Sequence, residues 1–184
     1  MTGIDSPGTV LEIGAGPNPR LETDVVIDIV DYDSVDYVCD IGEDQWPLED
    51  NSISRIVGDE ILEHIPRDRL NHVFQEADRV LEPGGTIRFQ FPHPGTDNAV
   101  NDPTHRDLGG FTPYIASYFT DTPPGLSYWG DLDWEVNSYA VVSFPSVIRH
   151  SLRPSVTIRR GDVSFELTKI PFVSAYTVFK ATKR

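Results

Sequence analysis

Short apolar runs, each stopped by glycine, proline or aspartate, set the pattern of the first half of the chain. Thr9–Ile13 has the length of one buried strand, and Gly14-Ala15-Gly16 follows it as a turn. Asp24–Ile29 predicts a second strand ending near Asp28, Tyr37–Asp40 a third, and Ile53–Gly58 a fourth. Asp59–Ile65 reads as a short helical or turn segment closed by Pro66. The period then changes: Leu70, Val73, Phe74, Ala77, Val80 and Leu81 fall on one face of a helix over Asp68–Leu81. Asp68 is placed to cap that helix, and Pro83-Gly84-Gly85 to stop it. Thr86–Phe91 alternates, with Ile87, Phe89 and Phe91 on one side, and predicts a fifth strand.

From Pro92 the pattern breaks into loop, with a short helix expected at Thr112–Phe119, where Pro113 suits a first turn. Trp134–Phe144 reads as extended. Val156–Arg160 and Val163–Thr168 flank Gly161-Asp162 as a hairpin, and Ser174–Ala181 alternates as a last strand. Only residues 14–24 separate the first two strands, and only Val30–Asp36 the next two. A parallel crossover usually takes about a dozen residues or more and a helix. Pro17 and Pro19 restrict the first of these links to about one helical turn. A parallel sheet is buried on both faces. Residues after 95, or a second copy in a homodimer, are therefore expected to cover the face that these links leave without helices.

Composition narrows the partners. At 184 residues the chain is most simply one domain, with residues 1–92 as its first part and 93–184 as a loop region and terminal strands. No apolar run reaches the length of about 18 residues that a membrane span needs. The first residues lack the basic start and apolar core of a signal peptide, and the single Cys39 suits a reducing cytoplasm. The net charge of −14 repels nucleic-acid phosphate and anionic membranes. Aspartate outnumbers glutamate, and twelve arginines stand against three lysines, Lys169, Lys180 and Lys183. Such a surface resembles that of halophile proteins, whose salt screens self-repulsion; an ordinary acidic protein is the alternative.

Candidate chemistry begins at the first turn. Glycine allows positive φ and lets a ligand approach the backbone without a Cβ in the way. Glu12, two residues earlier, adds an acid. At the carboxyl edge of a parallel sheet, such a set suits a ligand with hydroxyls or an ammonium group. Three motifs then stand in register: Leu11-Glu-Ile-Gly-Ala-Gly16, Asp50-Asn-Ser-Ile-Ser-Arg55 through Leu62-Glu63-His64, and Arg79-Val-Leu-Glu-Pro-Gly-Gly85. Over residues 9 to 106 the chain resembles the small-molecule branch of the class I S-adenosylmethionine-dependent methyltransferases. The resemblance implies a Rossmann-like α/β fold with a mostly parallel seven-stranded sheet and late antiparallel strands. It implies S-adenosylmethionine as cofactor, held by Glu12, Gly14, Ala15, Gly16 and Asn18 at its methionine end. Asp28 would take the ribose hydroxyls, Asp40 and Ile41 the adenine, and Asp59 would stand near the transferred group. The chain departs from the family in lacking full helices in its first two crossovers.

Methyl transfer needs proximity and alignment, and a base only where the acceptor must lose a proton. His64, Asp59 and His105 are the candidate catalytic groups, and His93, Asp102, Arg106 and Phe111 the candidate contacts to a small-molecule or lipid-like acceptor. Asn101-Asp-Pro-Thr-His-Arg106 looks like an element found after the fifth strand in part of the family; the alternative is a rigid loop stapled by Asp102. His93, Asp102 and His105 match no compact metal motif, so no metal is expected. The aromatics Phe111, Tyr114, Tyr118, Phe119, Tyr128, Trp129 and Trp134 would line a pocket or replace the missing helices as core. Two other functions stay open. One is a methyltransferase-like domain that binds without catalysis. The other is a nicotinamide oxidoreductase, for which Asn18 stands where a third glycine is wanted and Asp28 comes too early.

Overall fold

A computed structural model describes residues 8–93, 96, 99, 102–106, 132, 134–145, 155–158 and 173–184. The expected helix at Thr112–Phe119, the strand at Val163–Thr168, Phe111 and most of the late aromatics lie outside these residues. The strands are β1 (Val10–Ile13), β2 (Val25–Asp28), β3 (Tyr37–Val38), β4 (Ile53–Asp59), β5 (Leu81–Pro92), β6 (Trp134–Pro145), β7 (Ser155–Ile158) and β8 (Val173–Lys183). They form one sheet in the order β3-β2-β1-β4-β5-β8-β6-β7. β1 to β5 are parallel, and β8, β6 and β7 add antiparallel. The expected seven-stranded sheet is present, and β7 extends it by an eighth strand on the edge of β6. The strand order reverses between β1 and β4, which places a ligand crevice at the carboxyl ends of those two strands.

One face of the sheet holds the core. Leu11, Ile13, Ile27, Ile56, Ile87, Phe89 and Phe91 are buried there with helix α1 (Leu70–Val80). Phe74 on α1 meets Phe89 edge-on and Trp134 at a tilt, each with ring centroids 5.9 Å apart. Trp134 is 1% exposed and donates its indole N–H to Asp78 at 2.6 Å, so this late aromatic is core. Cys39 is likewise buried, and burial together with Asp44 and Asp40 pushes its thiol up to about 11, leaving it inert.

Two boundaries differ from expectation. Asp68 does not cap α1. The chain begins to turn at Pro66, passes through a 3-10 turn at Arg67–Arg69, and enters α1 with no side-chain cap. At the other end Leu81 pairs with Ile53, and pairing resumes with Thr86 opposite Arg55. Residues 82–85 therefore bulge out of a strand that starts five residues before Thr86, and Gly84 takes φ +83° within the bulge.

A lattice of hydrogen bonds ties α1 to the segment after β3. Arg79 donates to the carbonyls of Leu48 and Trp46 and to Asp50 and Glu76, at 2.7–2.9 Å. Glu76 also accepts from the Trp46 amide at 2.8 Å. Burial alone would raise the Glu76 carboxyl; the bonds from Arg79 and Trp46 outweigh it and hold the group below its usual range. The Trp46 indole in turn donates to the Ile41 carbonyl at 3.1 Å, supporting the end of the β3 segment.

The opposite face is where helices would be expected, and it is polar. In-register neighbours project to one side of a sheet. Glu12, Val57 and Arg88 share a row, as do Val10, Arg55 and Thr86, and Asp59 with Gln90. Asp59 sits between two guanidinium groups, Arg20 and Arg88. Arg55 pairs with Glu22 at 3.3 Å. Both arginines Arg20 and Arg55 reach this face from or toward the 14–24 link, so the short crossover itself lies where a helix would. Ion pairs and half-buried polar groups thus satisfy part of a surface that the rule for parallel sheets would make apolar. Among the described residues no helix is long and apolar enough to cross a membrane.

Candidate active site

The first half of the site is built on the ends of β1, β2 and β3. After Ile13 the chain turns through Gly14 at φ +66°, half-buried Ala15, and Gly16 at φ +61°. The Gly14 amide donates to the Ile27 carbonyl at 2.8 Å, joining β1 to β2 beyond their ladder. A Cβ at Gly14 would sit 2.5 Å from the Ile61 side chain, whereas one at Gly16 would meet nothing within 4 Å. The turn is therefore closed on the Ile61 side and open at Gly16.

Asp28 is 8% exposed. One of its oxygens accepts the Gly16 amide and the other the Val30 amide, both at 2.9 Å. Each oxygen keeps a second lone pair, enough for two ligand hydroxyls. Asp40 stands at the end of the β3 segment, accepting from the Gly42 amide at 2.9 Å, with Arg69 3.8 Å from its other oxygen. Ile41 beside it is buried. Parallel strands lie about 4.8 Å apart. Gly16, Asp28 and Asp40 thus follow one another along the carboxyl edge of the sheet.

Glu12 and Asn18 are placed differently. Glu12 is 5% exposed and faces the polar side of the sheet. Its carboxylate accepts the Arg20 amide at 2.8 Å and the Thr23 hydroxyl at 2.6 Å, with Arg20 Nε 3.6 Å away. It fastens the loop from behind, while Asn18 is exposed on the loop's outside. Glu12→Ala strands that amide and hydroxyl. We expect a stability loss of about 2 kcal/mol in urea unfolding.

The second half is built on the turn after β4. Glu60 takes φ +55°, held by its amide's bond to the Gln90 carbonyl at 2.8 Å. A 3-10 turn at Leu62–His64 follows and presents Glu63 and His64. The 102–106 segment docks on this turn, with the Arg106 amide donating to the Glu63 carbonyl at 2.9 Å. Asp102 does staple its loop: it accepts the Thr104 amide at 2.8 Å and hydroxyl at 2.6 Å. Those bonds hold its carboxyl below the usual range. The His105 side chain is 6% exposed and its ring meets that of His64 edge-on at 4.9 Å. Burial lowers His64, with His105 adding to the effect, and both rings stand beside a buried acid. That acid is Glu63, pushed up to about 8 by burial, with Glu60 and Asp102 adding to the rise. Burial also raises Glu60, to about 7, against a hydrogen bond from Gln90.

The structure therefore brings His64, His105 and Asp102 together and adds Glu60 and Glu63, which the sequence displays but does not connect to His105. Arg106 is exposed at the rim, and His93, half-buried at the end of β5, is lowered by burial. Asp59 belongs to the polar face, between Arg20 and Arg88, and its carboxylate is committed there. No helix follows Gly16 among the described residues up to β2, so the helix amino end that a dinucleotide's pyrophosphate needs is missing from this link.

The fold is the one found in class I S-adenosylmethionine-dependent methyltransferases. Residues 3–89, a little under half of the chain, match the methyltransferase domain family. A SAM-dependent methyltransferase of Archaeoglobus fulgidus superposes with a TM-score of 0.64, over 96% of this chain and 86% of its own, at 19% identity. One of Thermotoga maritima, described as a possible histamine N-methyltransferase, gives 0.62 over 98% and 84%, at 14% identity. At these identities the likeness is one of fold. Among curated proteins no sequence matches the chain.

Proposed function

We propose that the protein transfers a methyl group from S-adenosylmethionine to a small-molecule acceptor bound beside Glu63, His64 and His105. The observation that carries the reading is the contrast at the first turn: Gly16 opens on empty space with Asp28 bonded to its amide, while Gly14 packs on the residue that leads into the acceptor-side turn. Bound S-adenosylmethionine supplies a methyl group already activated by a positive sulfur. The chain's own part is to hold and to align. Asp28 accepts the ribose hydroxyls, Asp40 the adenine amine, and the Gly14–Gly16 backbone cradles the methionine end. On the acceptor side, the carboxyls of Glu60 and Glu63 and the imidazoles of His64 and His105 are the groups able to take a proton from an oxygen or nitrogen acceptor. Arg106 at the rim suits an acceptor that carries a carboxylate or phosphate. The acidic surface argues for a small acceptor over a polyanion, and for assays in molar salt, where self-repulsion is screened.

Asp28→Ala removes the acceptor of two loop amides and of both ribose hydroxyls. We expect S-adenosylhomocysteine binding to weaken at least thirtyfold by calorimetry, with Asp28→Asn recovering only part of it. Wild-type protein that is folded and binds neither S-adenosylmethionine nor S-adenosylhomocysteine would defeat the proposal and leave a domain that binds something else.

A further inference from the structure

We propose that Glu63, His64 and His105 bind one divalent transition-metal ion of the zinc or iron(II) kind. A ligand atom from each lies within 4.8 Å of the other two. This set differs from the His93, Asp102 and His105 grouping that the sequence offers, because the loop carrying His105 docks on the turn carrying Glu63.

Hydrogen bonding fixes where the lone pairs are. His105 Nδ1 faces the Ala99 carbonyl at 3.0 Å. A carbonyl only accepts, so Nδ1 carries the proton and Nε2 the lone pair. The Thr104 hydroxyl gives its one proton to Asp102 Oδ1 at 2.6 Å. Toward His64 Nδ1, 3.0 Å away, it must accept, so His64 too is protonated at Nδ1 and keeps its lone pair on Nε2. Glu63 is 3% exposed, and among the described residues neither carboxyl oxygen has a hydrogen-bond partner. His105 Nε2 stands 4.0 Å from Glu63 Oε1, beyond hydrogen-bond reach. No hydrogen bond among the described residues joins the two rings to the buried carboxyl.

A cation satisfies all three at once. Two imidazoles and a carboxylate make a donor set suited to zinc or iron(II). Bonds of about 2.1 Å in a tetrahedral site put donors about 3.4 Å apart, so the three close in by an ångström or so around the ion. Both rings are already oriented from behind, one by a carbonyl and one by the Thr104–Asp102 pair, as metal-bound histidines commonly are. Asp102 Oδ2, 3.9 Å from His105 Nε2 on the exposed side, can take a bound water or a fourth position. The catalytic consequence rests on the methyltransferase reading: an acceptor hydroxyl at the open position ionises more readily and its proton leaves to solvent. Metal binding itself does not depend on that reading.

The test uses the full chain, stripped with a chelator and titrated with Co²⁺ alone, followed by visible ligand-field absorption and by calorimetry. We expect one ion per chain, at least hundredfold weaker binding in Glu63→Gln and in His105→Ala, and roughly tenfold weaker binding in Thr104→Val, which leaves the ligands in place. S-adenosylhomocysteine affinity, measured on the same samples, should stay within twofold and shows that each variant is folded. A wild type that binds S-adenosylhomocysteine but gives no cobalt spectrum overturns the proposal. So does Glu63→Gln that binds Co²⁺ as the wild type does; if that variant does not fold, an unchanged Thr104→Val has the same force. Cobalt binding without any cofactor binding would instead keep the metal site and remove the methyltransferase reading.

Discussion

Gly14→Val should abolish cofactor binding, with affinity for S-adenosylhomocysteine falling more than a hundredfold in calorimetry. Two causes act together. The residue holds φ +66°, a region that β-branched side chains avoid at a cost of about 1–3 kcal/mol. Its Cβ would also lie 2.5 Å from Ile61, whose own backbone is fixed between Glu60 and the 3-10 turn. The clash cannot be relieved by a flexible side-chain end, because the Ile61 Cβ itself is within 2.9 Å. The turn must open, and with it go the Gly14–Ile27 bond and the approach to Asp28. Gly16→Ala separates the two causes, since it keeps the φ strain and meets no neighbour. It should cost less stability than Gly14→Val yet still impair binding, as the methyl fills the ligand's space. Equal melting temperatures for the two variants would contradict this account.

Arg79→Ala should cost about 3–5 kcal/mol in urea unfolding at neutral pH. The guanidinium joins two carbonyls and two carboxylates, and no smaller group spans them. Truncation leaves Glu76, 9% exposed, with its charge uncompensated beside the Trp46 amide. Arg79→Lys should recover only a minor part, because one ammonium cannot serve a planar fork of acceptors. The double variant Arg79→Met, Glu76→Leu removes both charges and should be more stable than Arg79→Ala. A loss under about 1 kcal/mol for Arg79→Ala would show that the lattice is replaced by water.

The sequence made β1, β2 and β4 legible because each buries one row in the core and stops at a residue that cannot continue it. Gly14, Gly16 and Asp28 were legible for a related reason: turn chemistry is local, and a strand-ending acid next to it is visible by eye. The start of β5 was not, since Leu81 both closes a helical period and pairs with Ile53. Asp68 misled because it lies inside a 3-10 turn, Arg67–Arg69, that precedes the helix. The polar face was written in the alternation Arg55, Val57, Asp59 and Arg88, Gln90, but the general rule for parallel sheets argued for an apolar cover. Glu12 was read as a ligand contact, and its bonds to Arg20 and Thr23 depend on how the 14–24 link folds back. The Glu63–His105 contact joins segments far apart in the chain. Nothing in the local pattern of either announces the other, although the Asp102-to-Thr104 staple that orients the loop is readable from the residues.

Ile61 stands between two sites. On one side it packs on Gly14 in the cofactor turn; two residues on lies Glu63. A ligand that shifts the turn at Gly14 would reach the Glu63 turn through Ile61. Free energies of linkage are reciprocal. Whatever factor an occupant of the Glu63–His64–His105 cluster applies to cofactor affinity, the cofactor must return to that occupant. Shortening Ile61 to valine should reduce that factor, read as the change in S-adenosylhomocysteine affinity that Co²⁺ brings about.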